Sequence, residues 1–290
     1  MRCACIDIGS NTTRLLVADA APGRLETVLQ QRAFTRIAYR VDIVGTIPDA
    51  AIAVVADVVA AQRVAARAAG ARRLRVVATA AIRRAANREV LLAAVRERAG
   101  VEVAVLSPDD EGRLAFVGAT RTLERAPDGP IAVVDVGGLS TEIVVGTVTG
   151  GVQWLRSFPV GSGLLAGRCR EDPPSLAEID AMAAAADAAF AAADVPHADH
   201  AVAVGGSAAS LPTLVGPVLD AAALERAMAK LGAAPAAIVA RRHGLAPERA
   251  ELLPAGILVL GAAVRRLGKP LQIGRGGLRE GVVLELAGRS

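Results

Sequence analysis

The sequence predicts two α/β domains, each a mixed sheet flanked by helices. Three observations carry this expectation: each half opens with a short strand meander that gives way to alternating helices and strands, a Pro/Gly-rich break separates the halves, and the second half repeats the plan of the first. At 290 residues the chain has room for two small domains. The break, Ala126-Pro127-Asp128-Gly129-Pro130, sets their expected limits at 1–125 and 126–290.

Residues 2–8 and 13–19 read as short apolar strands flanking Gly9-Ser10-Asn11-Thr12, and a third strand at 26–32 follows the Ala21-Pro22-Gly23 turn. The first sheet therefore begins antiparallel. An alanine-rich helical pattern over 49–69 leads into an apolar strand at 74–78, a helix at 87–99, a strand at 101–106 and a helix at 109–123. That alternation implies a parallel extension of the sheet. After the break, strands at 131–136, 143–147 and 152–158 form a second meander, with Thr149-Gly150-Gly151 as a turn. A long alanine-rich helix at 175–193, a strand at 201–204, several helices and a short strand at 271–273 complete the pattern.

Hydrophobic residues make up 53% of the chain and charged residues 21%, which excludes a disordered or collagen-like protein. The longest apolar helical stretch, 252–264, falls short of the ~20 residues a bilayer requires. Asp7 sits where a secretory leader needs its apolar core, so a cytoplasmic protein is expected. Cys3, Cys5 and Cys169 lack the paired spacing of a zinc site and read as reduced thiols in or near the core. The net charge of +4 rests on arginine, Lys230 and Lys269 being the only lysines. Arginine suits phosphate recognition, since its planar fork gives two hydrogen bonds to one oxyanion, although codon bias alone produces the same excess. Aromatics at 2% supply few platforms for base stacking, which argues against a nucleic-acid module.

The two halves share a local motif. Asp7-Ile8-Gly9-Ser10-Asn11-Thr12 closes the first strand, and Asp135-Val136-Gly137-Gly138-Leu139-Ser140-Thr141 closes the strand that opens the second half. Each places an aspartate at a strand end, followed by glycine and hydroxyl residues in a tight turn. Either turn alone reads equally as an ordinary hairpin. As a pair facing each other across a cleft they would clamp phosphate, because exposed backbone N–H groups and hydroxyls are ready anion donors.

These residues resemble the exopolyphosphatase and guanosine pentaphosphate phosphohydrolase family of the actin-like ATPase superfamily. The likeness runs nearly end to end. Asp7 to Thr12 resembles the family's first phosphate loop, 77–83 with Asn87 the segment carrying a phosphate-binding arginine, and Ser107 to Leu114 the segment with the catalytic glutamate. Asp135 to Glu142 resembles the second phosphate loop, 203–207 the third glycine turn, 253–256 a helix start and Leu278-Arg279-Glu280-Gly281 the closing motif. The chain departs from the family at Leu139, where a third glycine is usual, at Gly112, where alanine is usual, and over 33–42, which lacks a clear Leu-Gly-rich segment. It matches the short form, without further carboxy-terminal helical domains. The implied fold is two actin-like, ribonuclease H-like domains with an interdomain cleft.

The resemblance implies phosphoanhydride hydrolysis, a reaction that asks for positioning, charge neutralisation and a water in line with the leaving oxygen. Ser10, Asn11 and Thr12, with Gly137, Gly138, Ser140 and Thr141, would hold terminal phosphates, joined by Gly205, Gly206 and Ser207 of the third turn, and Arg83 would add a bidentate cation. Asp135 and Glu142 are ligands suited to Mg²⁺, with Asp7 a further candidate. Glu111 would act as general base. Its place after Ser107-Pro108-Asp109-Asp110 equally suits a helix start, and both roles are compatible. Arg84 reads as a surface charge, and Arg279 with Glu280 as a structural ion pair. His197, His200 and His243 fit no triad. The expected substrate is inorganic polyphosphate, with guanosine pentaphosphate as the alternative; a regulatory module that binds phosphate compounds with little catalysis is a reading of another class, kept open by Leu139. A sugar or acetate kinase fits Glu111 and the closing motif badly. A homodimer is expected from apolar helices in the second half.

Overall fold

The computed structural model describes residues 1–21, 24–37, 45–125 and 127–288. Pro22 and Gly23 of the expected turn, residues 38–42 of the 33–42 segment and Ala126 of the break lie outside them. By its contacts the chain divides into two units, Met1–Glu124 with Gly276–Ser290, and Arg125–Arg275.

The first unit opens with β1 (Arg2–Ile8), β2 (Thr12–Ala21) and β3 (Arg24–Phe34), followed by α1 (Asp49–Ala68), β4 (Arg73–Ala78), α2 (Ala80–Arg84), α3 (Arg88–Ala99), β5 (Val103–Val105) and α4 (Pro108–Arg121). The sheet order is β3-β2-β1-β4-β5. Pairing is antiparallel from β3 to β1 and parallel from β1 to β5, as the alternation predicts. One face of the sheet packs Cys5, Leu16 and Val77 against Leu114 of α4 and against Val282 and Val283.

The second unit contains β6 (Ile131–Val136), β7 (Thr141–Thr147), β8 (Gly151–Phe158), α5 (Ser162–Ala166), α6 (Leu176–Ala191), β9 (His200–Val204), α7 (Gly205–Ala208), α8 (Pro212–Val215), β10 (Val218–Leu219), α9 (Ala221–Leu231), α10 (Ala236–His243), α11 (Pro247–Leu267) and β11 (Leu271–Ile273). Its sheet order is β10-β11-β9-β6-β7-β8, again an antiparallel meander extended by parallel strands, β9 and β11, with β10 antiparallel at the edge. Val134, Ile143 and Phe158 on one face meet Phe190 of α6 and Val259 of α11 in an extended apolar cluster. Among the described residues no helix is long and apolar enough to cross a membrane.

The expected boundaries need one correction. The last helix, α12 (Leu278–Gly288), does not complete the second domain of 126–290; it lies against α4 in the first unit. Gly118 of α4 and Gly281 of α12 make this packing possible. A Cβ at Gly118 would overlap the carbonyl oxygen of Gly277, and one at Gly281 that of Leu114, so the two backbones touch with no side chain between them.

Candidate active site

In the first unit, the C-terminal ends of the parallel strands carry the predicted residues. The turn after β1 is closed by Gly9 N–H donating to Thr12 O (3.0 Å), while Asn11 O accepts from the backbone of Thr35 and Arg36. Ser10 and Thr12 are nearly buried. Thr12 Oγ1 accepts from Arg14 Nε at 3.1 Å. Asp7 is the cross-strand partner of Arg14, a neighbour that counting back from the turn would have located. Its Oδ1 is buried without a hydrogen-bond partner. Burial pushes the carboxyl above the usual range, Arg14 and Arg279 oppose that rise, and Glu280 adds to it.

Arg83 and Glu111 meet. Arg83 comes from the short helix after β4 and Glu111 from the first turn of α4, and Arg83 Nη1 donates to Glu111 Oε2 at 2.9 Å and to Leu106 O at 2.7 Å. The start of α4 is fixed by Ser107, whose Oγ accepts from Asp110 N at 3.1 Å, with Pro108 in the first helical position. Glu111 is thus both a helix-start residue and a nearly buried carboxylate held by a guanidinium. Asn87 clamps the backbone of Ile47 through two 2.8 Å bonds. Arg84 is exposed. Arg279 Nη2 lies 3.8 Å from Glu280 Oε1, and Glu280 accepts from Gly277 N, which is the structural role expected of the pair.

In the second unit three turns converge. Gly137 N–H donates to Ser140 O at 2.9 Å, Ser162 N–H donates to Gly137 O at 2.9 Å, and Leu164 N–H donates to Gly138 O at 2.8 Å. A Cβ on Gly161 would lie 2.6 Å from Gly138 O. Gly205, at φ +89°, passes so close to Asp135 that a Cβ there would stand 2.6 Å from its Oδ1. The third glycine turn is therefore seated against the turn that follows β6. Asp135 and Glu142 are cross-strand partners. Glu142 is 1% exposed and its Oε1 accepts from Ser157 Oγ at 2.7 Å. Sequence reasoning did not pick out Ser157 or Ser162; the strand register signals the first, since Ser157 stands opposite Glu142.

Two predicted contacts differ from expectation. Thr141 Oγ1 donates to Val160 O, and Ser207 Oγ is buried beside Gly256 without a hydrogen-bond partner among the described residues. Leu139 is 1% exposed and shows no positive φ, so its side chain joins the interior and the turn does not call for glycine there. The cysteines are free; Cys3 and Cys5 are buried and Cys169 partly so. Among the described residues no three His, Cys, Asp or Glu side chains gather as a metal cluster.

A family model, the Ppx/GppA phosphatase family, matches residues 16–290. The chain belongs to this family. Exopolyphosphatase 1 of Mycobacterium tuberculosis is 32% identical over 303 residues, spanning 98% of this chain and 88% of that protein. The crystal structure of the Aquifex aeolicus member of the Ppx/GppA family superposes with a TM-score of 0.82 at 28% identity, over 99% of this chain and 97% of that one. An exopolyphosphatase structure from Cytophaga hutchinsonii, at 20% identity, shares the fold with a TM-score of 0.88 over 99% and 97% of the two chains.

Proposed function

We propose that this family member hydrolyses terminal phosphoanhydride bonds of inorganic polyphosphate and releases orthophosphate. The observation that carries the reading is the Arg83–Glu111 pair: a nearly buried carboxylate, fixed at a capped helix start and oriented by a guanidinium that is itself anchored to Leu106 O. Full-length likeness to an exopolyphosphatase supports the choice of substrate.

In this reading Glu111 orients the attacking water and takes its proton. Phosphoryl transfer needs little else from the protein beyond positioning and charge compensation. Each unit supplies a turn of the kind that holds phosphate: the hydroxyl and remaining N–H donors of Ser10, Asn11 and Thr12 in the first, and of Gly138 and Ser140 in the second, where Gly205 lies close against Asp135; the N–H groups of Gly9 and Gly137 close the turns themselves. Arg83 offers cationic charge beside the base.

The donor set suits Mg²⁺, which is commonly held by one or two carboxylates and completes its shell with water and phosphate oxygens. Asp135 and Glu142 would hold it, and Asp7 is the first unit's carboxylate of the same type. When bound, the cation supplies charge neutralisation on the phosphate oxygens.

The test compares wild type with Glu111→Gln, using long polyphosphate, short polyphosphate, guanosine pentaphosphate and ATP with Mg²⁺. Orthophosphate release from polyphosphate, reduced by roughly 10²–10⁴ in the variant, is expected. Equal rates would remove Glu111 from the chemistry. Release from guanosine pentaphosphate alone would reassign the substrate, and binding without any release would favour a regulatory module.

A further inference from the structure

The first unit holds a basic concavity away from the candidate active site. A cavity of about 590 Å³ is lined by Arg63 and Arg67 of α1, by Arg72 and Arg75 around the start of β4, and by Gly100 and Glu102 on the way into β5. Its floor is apolar, with Leu74, Val76, Val101 and Val103. The candidate active site follows the C-terminal ends of β1, β4 and β5, whereas this cavity surrounds the N-terminal ends of β4 and β5. A six-residue strand such as β4 separates the two ends by about 20 Å.

Helix ends attract cations, so arginines near the C-termini of α1 and α3 need a count against the carbonyls they could serve. Those carbonyls already have donors. Arg63 Nη1 donates to Ala99 O at the end of α3, and Arg2 Nη1 donates to Ala69 O just past α1 (2.9 Å). Arg75 is engaged by Glu285 at 3.1 Å. Glu102, the cavity's single acid, is held by Arg96 at 2.6 Å. Arg67 and Arg72 are left over: among the described residues no carboxylate or carbonyl occupies either guanidinium. Two guanidinium groups without a partner among the described residues thus line one concavity, and guanidinium forks are donors suited to an oxyanion.

We propose that this cavity is a second, non-catalytic binding site for an oligophosphate group, with Arg67 and Arg72 as its principal contacts. Guanidinium forks match phosphate oxygens, and two of them suit a ligand with adjacent phosphates better than a single orthophosphate. The phosphate chain is the shared chemistry of inorganic oligophosphates and nucleoside triphosphates.

Calorimetric titration of tripolyphosphate into the full chain, in EDTA to prevent turnover, tests the site. Wild type is expected to bind at two sites. Arg67→Gln/Arg72→Gln removes one of them, weakening it at least tenfold, while Mg²⁺-dependent phosphate release stays within twofold of wild type. Single Arg72→Gln, at an exposed residue, repeats the test with a milder change, and circular dichroism verifies folding of each variant. Retention of both sites in the double variant overturns the proposal. So does an equal loss in the charge-matched control Arg241→Gln/Arg242→Gln, or a single wild-type site abolished by Arg83→Gln alone. A parallel titration with ATP separates the sources: tighter binding than tripolyphosphate places a nucleoside on the apolar floor, and weaker binding assigns the site to inorganic chains.

Discussion

Asp7 stands in a strained balance, with a buried, unbonded carboxylate oxygen on one side and the charges of Arg14 and Arg279 on the other. Because its carboxyl is raised above the usual range, the folded state holds that proton more tightly than the unfolded chain does. Stability contributed by the protonated group therefore falls as pH rises from the ordinary carboxylate range through the elevated value. Asp7→Asn is expected to raise Tm at neutral pH and to flatten the dependence of Tm on pH above the carboxylate range. A variant that melts lower than wild type at pH 7 would show that the arginines more than offset the burial. Arg83 allows a second prediction. If it acts by orienting Glu111, Arg83→Lys, which lacks the fixed fork, lowers kcat by tenfold or more with little change in KM. A rise in KM at constant kcat would instead make it a substrate clamp.

At the scale of elements, α4 and α12 are held at backbone contact by Gly118 and Gly281. Gly118→Ala or Gly281→Ala forces the helices apart, with an expected cost of about 1–3 kcal/mol in urea denaturation. Since α4 carries Glu111, the same variants should lose phosphate release before they lose folding. An unchanged denaturation midpoint would mean that the helices slide without penalty. Most elements were legible from the chain: the strand at 271–273 appears as expected, the helix at 175–193 as Leu176–Ala191, and the strand at 26–32 runs longer, from Arg24 to Phe34. The two-residue β10 and the short α2 were not, because so few residues carry no periodicity. Within the site, strand-end aspartates and glycine turns announced themselves, and the resemblance supplied Glu111 and Arg83. The contact between these two residues, the inward course of Leu139 and the burial of Ser207 depend on partners distant in sequence, which no local pattern encodes.

For the whole molecule, the allegiance of the final helix was the least legible feature. Residues 276–290 read as the natural end of the second half, yet Val282 and Val283 fill the face of the first sheet beside Cys5 and Val77. The second unit is contiguous and the first is not. Expressed alone, Arg125–Arg275 is expected to give a cooperative thermal transition. Met1–Glu124 should do so only when residues 276–290 are supplied by fusion or as a peptide. Cooperative melting of Met1–Glu124 by itself would show that α12 is dispensable to that core.

The same discontinuity sets an order on the nascent chain. As the ribosome delivers the polypeptide from its amino end, the first 124 residues emerge early but lack one of the two helices, α4 and α12, that cover one side of their sheet. The middle segment can settle as soon as it clears the exit tunnel, whereas the first unit is completed only when residues 276–290 follow. Throughout that interval Cys5, Leu16 and Val77 present an apolar surface that chaperones would recognise, and slowing translation would prolong the exposure.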